Sequence, residues 1–145
     1  MKTLWKIFAA LAVANVVLVL WLCQVAGGMP LSALFYDAFV LTKMIELLLF
    51  LGLAAVAVLP NGKGQMGGFL KVAVWLLLGL GALGSLQSLL NTWTAVQRTH
   101  TTNLQVVAPS LAEGLVPLGL GLLIAAIGAW KIASAKPPSP AANFD

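Results

Sequence analysis

Residues Thr101–Leu115 of this 145-residue chain read TTNLQVVAPSLAEGL, and they open an apolar segment that continues to Trp130. From Val106 onward the segment is long enough to cross a bilayer, which takes about 20 apolar residues. It carries one acidic side chain, Glu113. A charge near the middle of a membrane helix costs about 2.5–3.5 kcal/mol on insertion scales, so an acidic residue at that depth is a candidate functional group.

The composition identifies the class of protein. Hydrophobic residues make up 61% of the chain and charged residues only 8%. Soluble domains carry about 25% charged residues, so this chain is an integral membrane protein. The net charge of +4 does not indicate nucleic-acid binding, because the basic residues lie mostly at helix ends. One cysteine, one histidine and no nucleophile–base arrangement predict no cofactor, no metal site and no enzyme activity.

Four apolar segments predict an all-α protein with four transmembrane helices. They run from Ile7 to Val25, Leu34 to Leu59, Phe69 to Trp93 and Val106 to Trp130. Glycine, proline and polar residues separate them. We therefore divide the chain into an extra N-terminal helix at 1–28, a three-helix membrane core at 29–135, and a tail at 136–145 that is expected to be disordered.

Basic residues predict the orientation. If the N-terminus is cytoplasmic, one side of the membrane holds Lys2, Lys6, Lys63, Lys71, Lys131 and Lys136. The opposite side holds only Arg98 and His100. The excess of positive charge on the cytoplasmic side predicts that both termini face inward. Lys2 and Lys6 before an apolar stretch also resemble a secretory signal peptide, which is the alternative for the first helix. The length of that stretch favours a retained helix.

Two stripes of small and polar residues mark the third and fourth segments. Helical spacing aligns Gly81, Ser85, Ser88 and Thr92 on one helix face, with Gly84 nearby. It aligns Gly114, Pro117, Gly121, Ala125 and Gly128 on the other helix. Small residues let membrane helices approach closely, so helix packing is the simpler interpretation of both stripes.

The depth of Glu113 adds a second interpretation. On antiparallel helices, Ser85 and Glu113 would lie about 6 and 7.5 Å outward of the helix centres. A carboxyl beside hydroxyls is what a proton relay needs, and a hydrogen-bonded Glu113 that only joins two helices is equally compatible. On the second segment Lys43 and Glu46 share a face, which predicts an ion pair. A polar contact with a neighbouring subunit or lipid head groups is the alternative.

Three pieces of the chain resemble the ExbB/TolQ/MotA family of proton-channel subunits, and most closely its ExbB branch. Ala38–Lys43 resembles the start of the family's first membrane helix. Gly81–Ser85 resembles the family's GLFGT, with Ser85 at a pore-facing threonine. Thr101–Leu115 resembles TTNLAVVAPGIAEAL, with Glu113 at the family's key glutamate. The pieces occur in the family's order and fall on all three of its membrane helices.

The resemblance implies a pentameric ring in the bacterial inner membrane, surrounded by lipid. A pore lined by the last two helices would house an ExbD/TolR-like single-span partner. Proton flow would then drive envelope work or transport, with Glu113, Ser85, Ser88 and Thr92 along the pathway. The chain departs from the family by a short link, Pro60–Gly68, in place of a cytoplasmic domain, and by Leu118 in place of a pore threonine. A non-conducting scaffold with the same packing is the alternative function.

Overall fold

The computed structural model describes residues 2–36, 38, 40–61, 64–100 and 102–135. Its helices are α1 (Leu4–Val25), α2 (Leu31–Tyr36), α3 (Val40–Val58), α4 (Gln65–Thr99) and α5 (Leu104–Ser134). All except α2 are long and apolar enough to cross a membrane. The prediction of an all-α protein with four spanning helices is therefore confirmed for these residues. The tail at 136–145, for which disorder is expected, lies outside them.

Helix α5 is the centre of the bundle. In the most apolar 18-residue stretch of α5, half of the residues are buried inside the protein. In the other spanning helices the buried share of such a stretch is a third or less. It runs antiparallel to α4, with Gly81 against Gly121, and antiparallel to α1, with Asn15 beside Gly119. It runs parallel to α3, with Val56 near Gly128. Each of the other spanning helices therefore packs against α5.

The second predicted span is wrong in one respect. The apolar run from Leu34 to Leu59 forms two helices, the short α2 and the membrane-length α3. The α2 turn begins after Pro30, whose carbonyl accepts a hydrogen bond from the Ala33 N–H at 3.0 Å. Leu34 of α2 is 1% exposed. No glycine or proline lies between Pro30 and Gly52, so the sequence shows no helix-breaking residue of that kind where the two helices separate.

Helix α4 is longer than predicted and continues six residues beyond Trp93. In its last turns the hydroxyls of Thr94 and Thr99 donate to the carbonyls of Leu90 and Ala95 at 2.9 Å. At 35 residues the helix is about 50 Å long, which exceeds the roughly 30 Å hydrocarbon core. Helix α5 then begins after its N-cap residue, Asn103, whose side chain accepts a hydrogen bond from the Gln105 N–H.

Lys131 joins the end of α3 to α5. Its side chain is 7% exposed, and its ammonium group donates to the carbonyls of Ala57 at 2.7 Å and Leu59 at 2.5 Å. The last carbonyls of a helix have no donor within the helix, and the helix dipole favours a cation there. Lys131 therefore caps α3. In the sequence Lys131 serves only as a marker of topology, and this contact is not apparent.

Replacing Lys131 by Met keeps a long apolar side chain and removes the cap. We expect Lys131→Met to lower the stability of the detergent-solubilised protein by about 1–3 kcal/mol, because the hydrogen bonds from a charged donor are lost. Thermal unfolding measures the difference. Lys71→Met is the matched control, since Lys71 is exposed on α4. Equal losses in the two variants would contradict the cap.

Candidate functional site: a carboxyl pair beside the α4–α5 contact

The backbones of α4 and α5 approach closely where Gly81 meets Pro117 and Gly121. A methyl group on Gly81 would lie 2.5 Å from the Pro117 carbonyl oxygen. A methyl group on Gly121 would lie 3.4 Å from the Gly81 Cα. Larger side chains would separate the helices, so glycine permits the contact.

The close contact between the two helices continues from Gly81 toward the C-terminal end of α4. A methyl group on Gly84 would lie 3.2 Å from the Pro117 Cβ and 3.0 Å from Ile45 of α3. One on Gly114 would lie 3.2 Å from the Ser88 hydroxyl. Five of the residues that the sequence assigns to helix packing thus lie between α4 and α5, namely Gly81, Gly84, Gly114, Pro117 and Gly121. Gly84 also faces α3.

Ser85 stabilises the proline-containing turn of α5. Its hydroxyl oxygen accepts a hydrogen bond from the Leu118 N–H at 2.9 Å, directly after Pro117. Proline has no N–H, and its ring disturbs the hydrogen bonds of the preceding turn. In a membrane such backbone groups cannot turn to water, and a hydroxyl from a neighbouring helix commonly satisfies them. Ser85 is 4% exposed, so the hydroxyl reaches α5 inside the bundle.

The other hydroxyls of the stripe lie in the same interface. Ser88 and Thr92 are buried, and the Thr92 hydroxyl donates to the Ser88 carbonyl at 3.0 Å. Ser88 faces Gly114, the neighbour of Glu113. The depths estimated from the sequence instead put Ser85 at the level of Glu113. The structure therefore brings the hydroxyl stripe against α5 within one protomer. Its role along a proton pathway stays a prediction.

Two acidic residues, Glu46 of α3 and Glu113 of α5, lie near this contact. Glu46 is 2% exposed, and Glu113 is half-buried. Glu113 is near enough for its charge to act on the carboxyl group of Glu46. Within the described ranges, the Oε1 atom of Glu46 has no hydrogen-bond partner. The structure thus places two acidic side chains in the interior of a membrane bundle.

The approach of the two carboxyl groups follows from the helix arrangement. Glu46 lies six residues into α3 and Glu113 nine residues into α5, which correspond to about 9 and 14 Å of rise. Because α3 and α5 run parallel, both groups fall toward the same end of the bundle. The sequence analysis missed this pairing. The sequence does offer one signal, because helical spacing puts Glu46 on one face with Thr42, Leu49 and Val56. In the structure these residues are all buried, so this face of α3 points into the bundle.

Lys43, the predicted partner of Glu46, points elsewhere. Its ammonium group donates to the carbonyl of Tyr36 at the end of α2. The side chain is exposed, as is common for the long basic side chains of membrane proteins. No salt bridge between Lys43 and Glu46 occurs in the described part of the chain, although the charge of Lys43 still acts on Glu46. The charges of Lys43 and Glu46 therefore interact over a greater distance than in a contact ion pair.

Comparison with known proteins agrees with the membrane-helix motifs. The chain is 35% identical over 70 residues to the biopolymer transport protein ExbB of Salmonella typhimurium, and equally to that of Salmonella typhi. The match covers 48% of this chain and 29% of each relative. With ExbB of Pseudomonas putida it is 44% identical over 46 residues, 32% of the chain and 14% of the relative. The chain is ExbB-like.

This ExbB-like chain spans less than a third of the length of the curated relatives it matches. Partial coverage fits a compact member, since Leu59–Gly64 is all that separates α3 from α4. No family model matches the chain, and no solved structure matches it. In the described residues no group of three or more His, Cys, Asp or Glu side chains could hold a metal ion.

Removing the Ser85 hydroxyl tests the α4–α5 bond. We expect Ser85→Ala to destabilise the protein by about 1–3 kcal/mol, because the buried Leu118 N–H loses its acceptor. Hydrogen exchange of α5 peptides should increase around Leu118. Thr94→Ala is the control, since Thr94 is exposed and bonds only within α4. Unchanged exchange at Leu118 in Ser85→Ala would contradict the role of the hydroxyl.

Proposed function

We propose that this chain is a proton-channel subunit of a bacterial inner-membrane motor. Five copies would form a ring around an ExbD/TolR-like single-span partner, and proton flow would energise transport or envelope work. The observation that carries the proposal is the position of Glu113, a half-buried carboxyl group in the membrane bundle of an ExbB-like chain. A second acidic residue, Glu46, lies within range of its charge.

The chemistry of the site supports proton transfer. Acidic residues inside membrane segments are costly and commonly mark proton relays. Glu113 lies beside Gly114, which faces the hydroxyl of Ser88. Hydroxyl groups can both donate and accept hydrogen bonds, so they can order water between a carboxyl group and a pore. In the proposed mechanism Glu113 takes up a proton from one side and releases it toward the partner helix.

The outer faces of the bundle support an oligomer embedded in lipid. Apolar side chains on α4 are well exposed in the single chain, including Leu83 at 66%, Leu86 at 54% and Leu90 at 57%. Such faces suit lipid tails or neighbouring copies. In the proposed orientation both termini and the α3–α4 link face the cytoplasm, because the basic residues lie on that side.

The second candidate function is a non-conducting scaffold. It is favoured by the hydroxyls of Ser85, Ser88 and Thr92, which are buried between α4 and α5 of one chain. A scaffold needs these residues for packing and needs no titratable group. The two functions differ in one measurable property, which is proton flux that depends on Glu113.

Neutralising Glu113 tests the channel. The chain should be purified from native membranes with its associated single-span protein and reconstituted in vesicles carrying a pH-sensitive dye. We expect Glu113→Gln and Glu113→Ala to reduce proton flux by about a hundredfold, with expression retained, because the group that binds the proton is lost. Asp145→Asn, which removes a carboxyl from the end of the chain, should retain the flux.

Full proton flux in both Glu113 variants would contradict this assignment. An absence of flux in the unaltered complex, despite correct assembly, would favour the scaffold.

A further inference from the structure

We propose that a cleft between α1, α2 and α5 binds an uncharged, membrane-dissolved molecule that presents a carbonyl oxygen to Asn15, which is the chemistry of a quinone. The inference does not rest on the proposed function. The cleft involves α1, which the sequence sets apart from the three-helix core, and a face of α5 that carries no acidic side chain.

The cleft has the size and the lining of a ligand site. Its volume is about 450 Å³, and small-molecule pockets commonly measure roughly 300–1,000 Å³. Every residue that lines it is apolar or glycine, except Asn15. Ala12 and Leu34 are buried on its inner side. Val13 and Val17 are exposed on its outer side, so the cleft opens toward the surrounding lipid.

Helix α5 contributes a face of its own to the cleft. The lining residues recur at helical spacing, and they lie on a different face from Pro117 and Gly121, which meet α4. The cleft is therefore separate from the α4–α5 contact. The lining residues of α5 are Val116, Gly119, Leu120 and Leu123.

Asn15 gives the cleft a single polar group. Its side chain is 9% exposed. A methyl group on Gly119 would lie 2.4 Å from the Asn15 Oδ1 atom and 4.0 Å from its Nδ2 atom. The amide oxygen thus lies against α5, and the NH₂ group lies farther from that backbone. Within the described part of the chain the Asn15 side chain makes no hydrogen bond.

An amide in this position calls for an acceptor. Burial of an amide without a hydrogen-bond partner is unfavourable. Asn side chains in membrane helices usually bond to a neighbouring helix, and no such bond satisfies Asn15 in the described residues. A carbonyl oxygen from a molecule in the cleft would accept from the NH₂ group and remove the penalty.

Depth excludes a phospholipid as the source of that oxygen. Asn15 lies near the middle of α1 (Leu4–Val25), and Gly119 lies at the middle of α5 (Leu104–Ser134). The hydrocarbon core is about 30 Å thick, so phospholipid head groups and ester carbonyls lie roughly 15 Å from this level. At Asn15 a phospholipid offers only methylene groups, which accept no hydrogen bond.

The lining also excludes a charged ligand. No charged residue lines the cleft, so an ionised molecule would lose its hydration without compensation. A quinone is uncharged, dissolves in the hydrocarbon core through its ring and chain, and carries carbonyl oxygens. It therefore meets the requirements of apolar lining, central depth and one donor.

Photolabelling tests the site. The full chain is reconstituted in nanodiscs of synthetic phospholipid, because detergent would compete for an apolar cleft. The probe is an azidoquinone with a decyl chain, and mass spectrometry of peptides locates the adducts. We expect adducts at cleft residues of α1 and α5, and we expect unlabelled decylubiquinone to suppress them.

Three variants define the contribution of Asn15. Asn15→Leu keeps a side chain of similar size, and labelling at limiting probe should fall about tenfold, the effect of one buried hydrogen bond. Asn91→Leu is the matched control, since Asn91 is exposed on α4, and it should label normally. Val116→Phe fills the cleft and should abolish labelling while Asn15 remains.

The stability of Asn15→Leu separates a ligand site from a packing contact. In nanodiscs without quinone, we expect this variant to unfold at the same temperature as the unaltered chain or higher, because an unpaired buried amide has been removed. A lower unfolding temperature would mean that Asn15 joins α1 to α5, and it would overturn the proposal.

Equal labelling of the unaltered chain and Asn15→Leu, or an absence of adducts in the cleft, would also overturn the proposal. Labelling of the cleft by a phospholipid with a photoreactive chain, unaffected by decylubiquinone, would assign the cleft to lipid tails instead. Cross-links between the clefts of two copies would assign it to a subunit contact. None of these results depends on proton flux through Glu113, so failure of this proposal is distinguishable from failure of the proposed function.

Discussion

The close contact between α4 and α5 is the constraint on which the rest of the bundle depends. In a membrane the lipid tails are as apolar as the helices, so association relies on van der Waals contact and interhelical hydrogen bonds. Gly81 and Gly121 permit the backbone contact, and Ser85 adds a hydrogen bond to the turn after Pro117. Helix α3 then packs across both, through Ile45 against Gly84 and Val56 near Gly128.

The same contact sets the position of the acidic groups. Glu113 lies one turn before Pro117 and beside Gly114, so it is held close to the tightest part of the interface. Helix α3 carries Glu46, which lies within range of the Glu113 charge. Ser85 and Leu118, which the family resemblance aligns with two pore threonines, are joined to each other here. The packing and the proposed proton chemistry therefore involve neighbouring residues of the same helices.

Much of the fold could be predicted from the sequence, because membrane helices must be long and apolar and small residues mark their contacts. The four spans and the glycine stripes follow from this. Helical spacing shows which residues share a face, but it does not show which helix that face meets. For that reason the sequence pairs Glu46 with Lys43 on its own helix and does not indicate that α5 brings the charge of Glu113 within range of Glu46. The sequence likewise indicates only that Lys131 follows the fourth helix and helps to set the topology, whereas the fold buries its side chain against α3.

The central claim is that this compact chain still assembles as a channel-forming ring. Native mass spectrometry of the detergent-purified protein counts the subunits directly. The account predicts five copies of the 15.1 kDa chain, with additional mass where the single-span partner remains bound. A monomer or dimer as the stable species would contradict it, because the helix motifs would then serve packing within one chain and not a pore between chains.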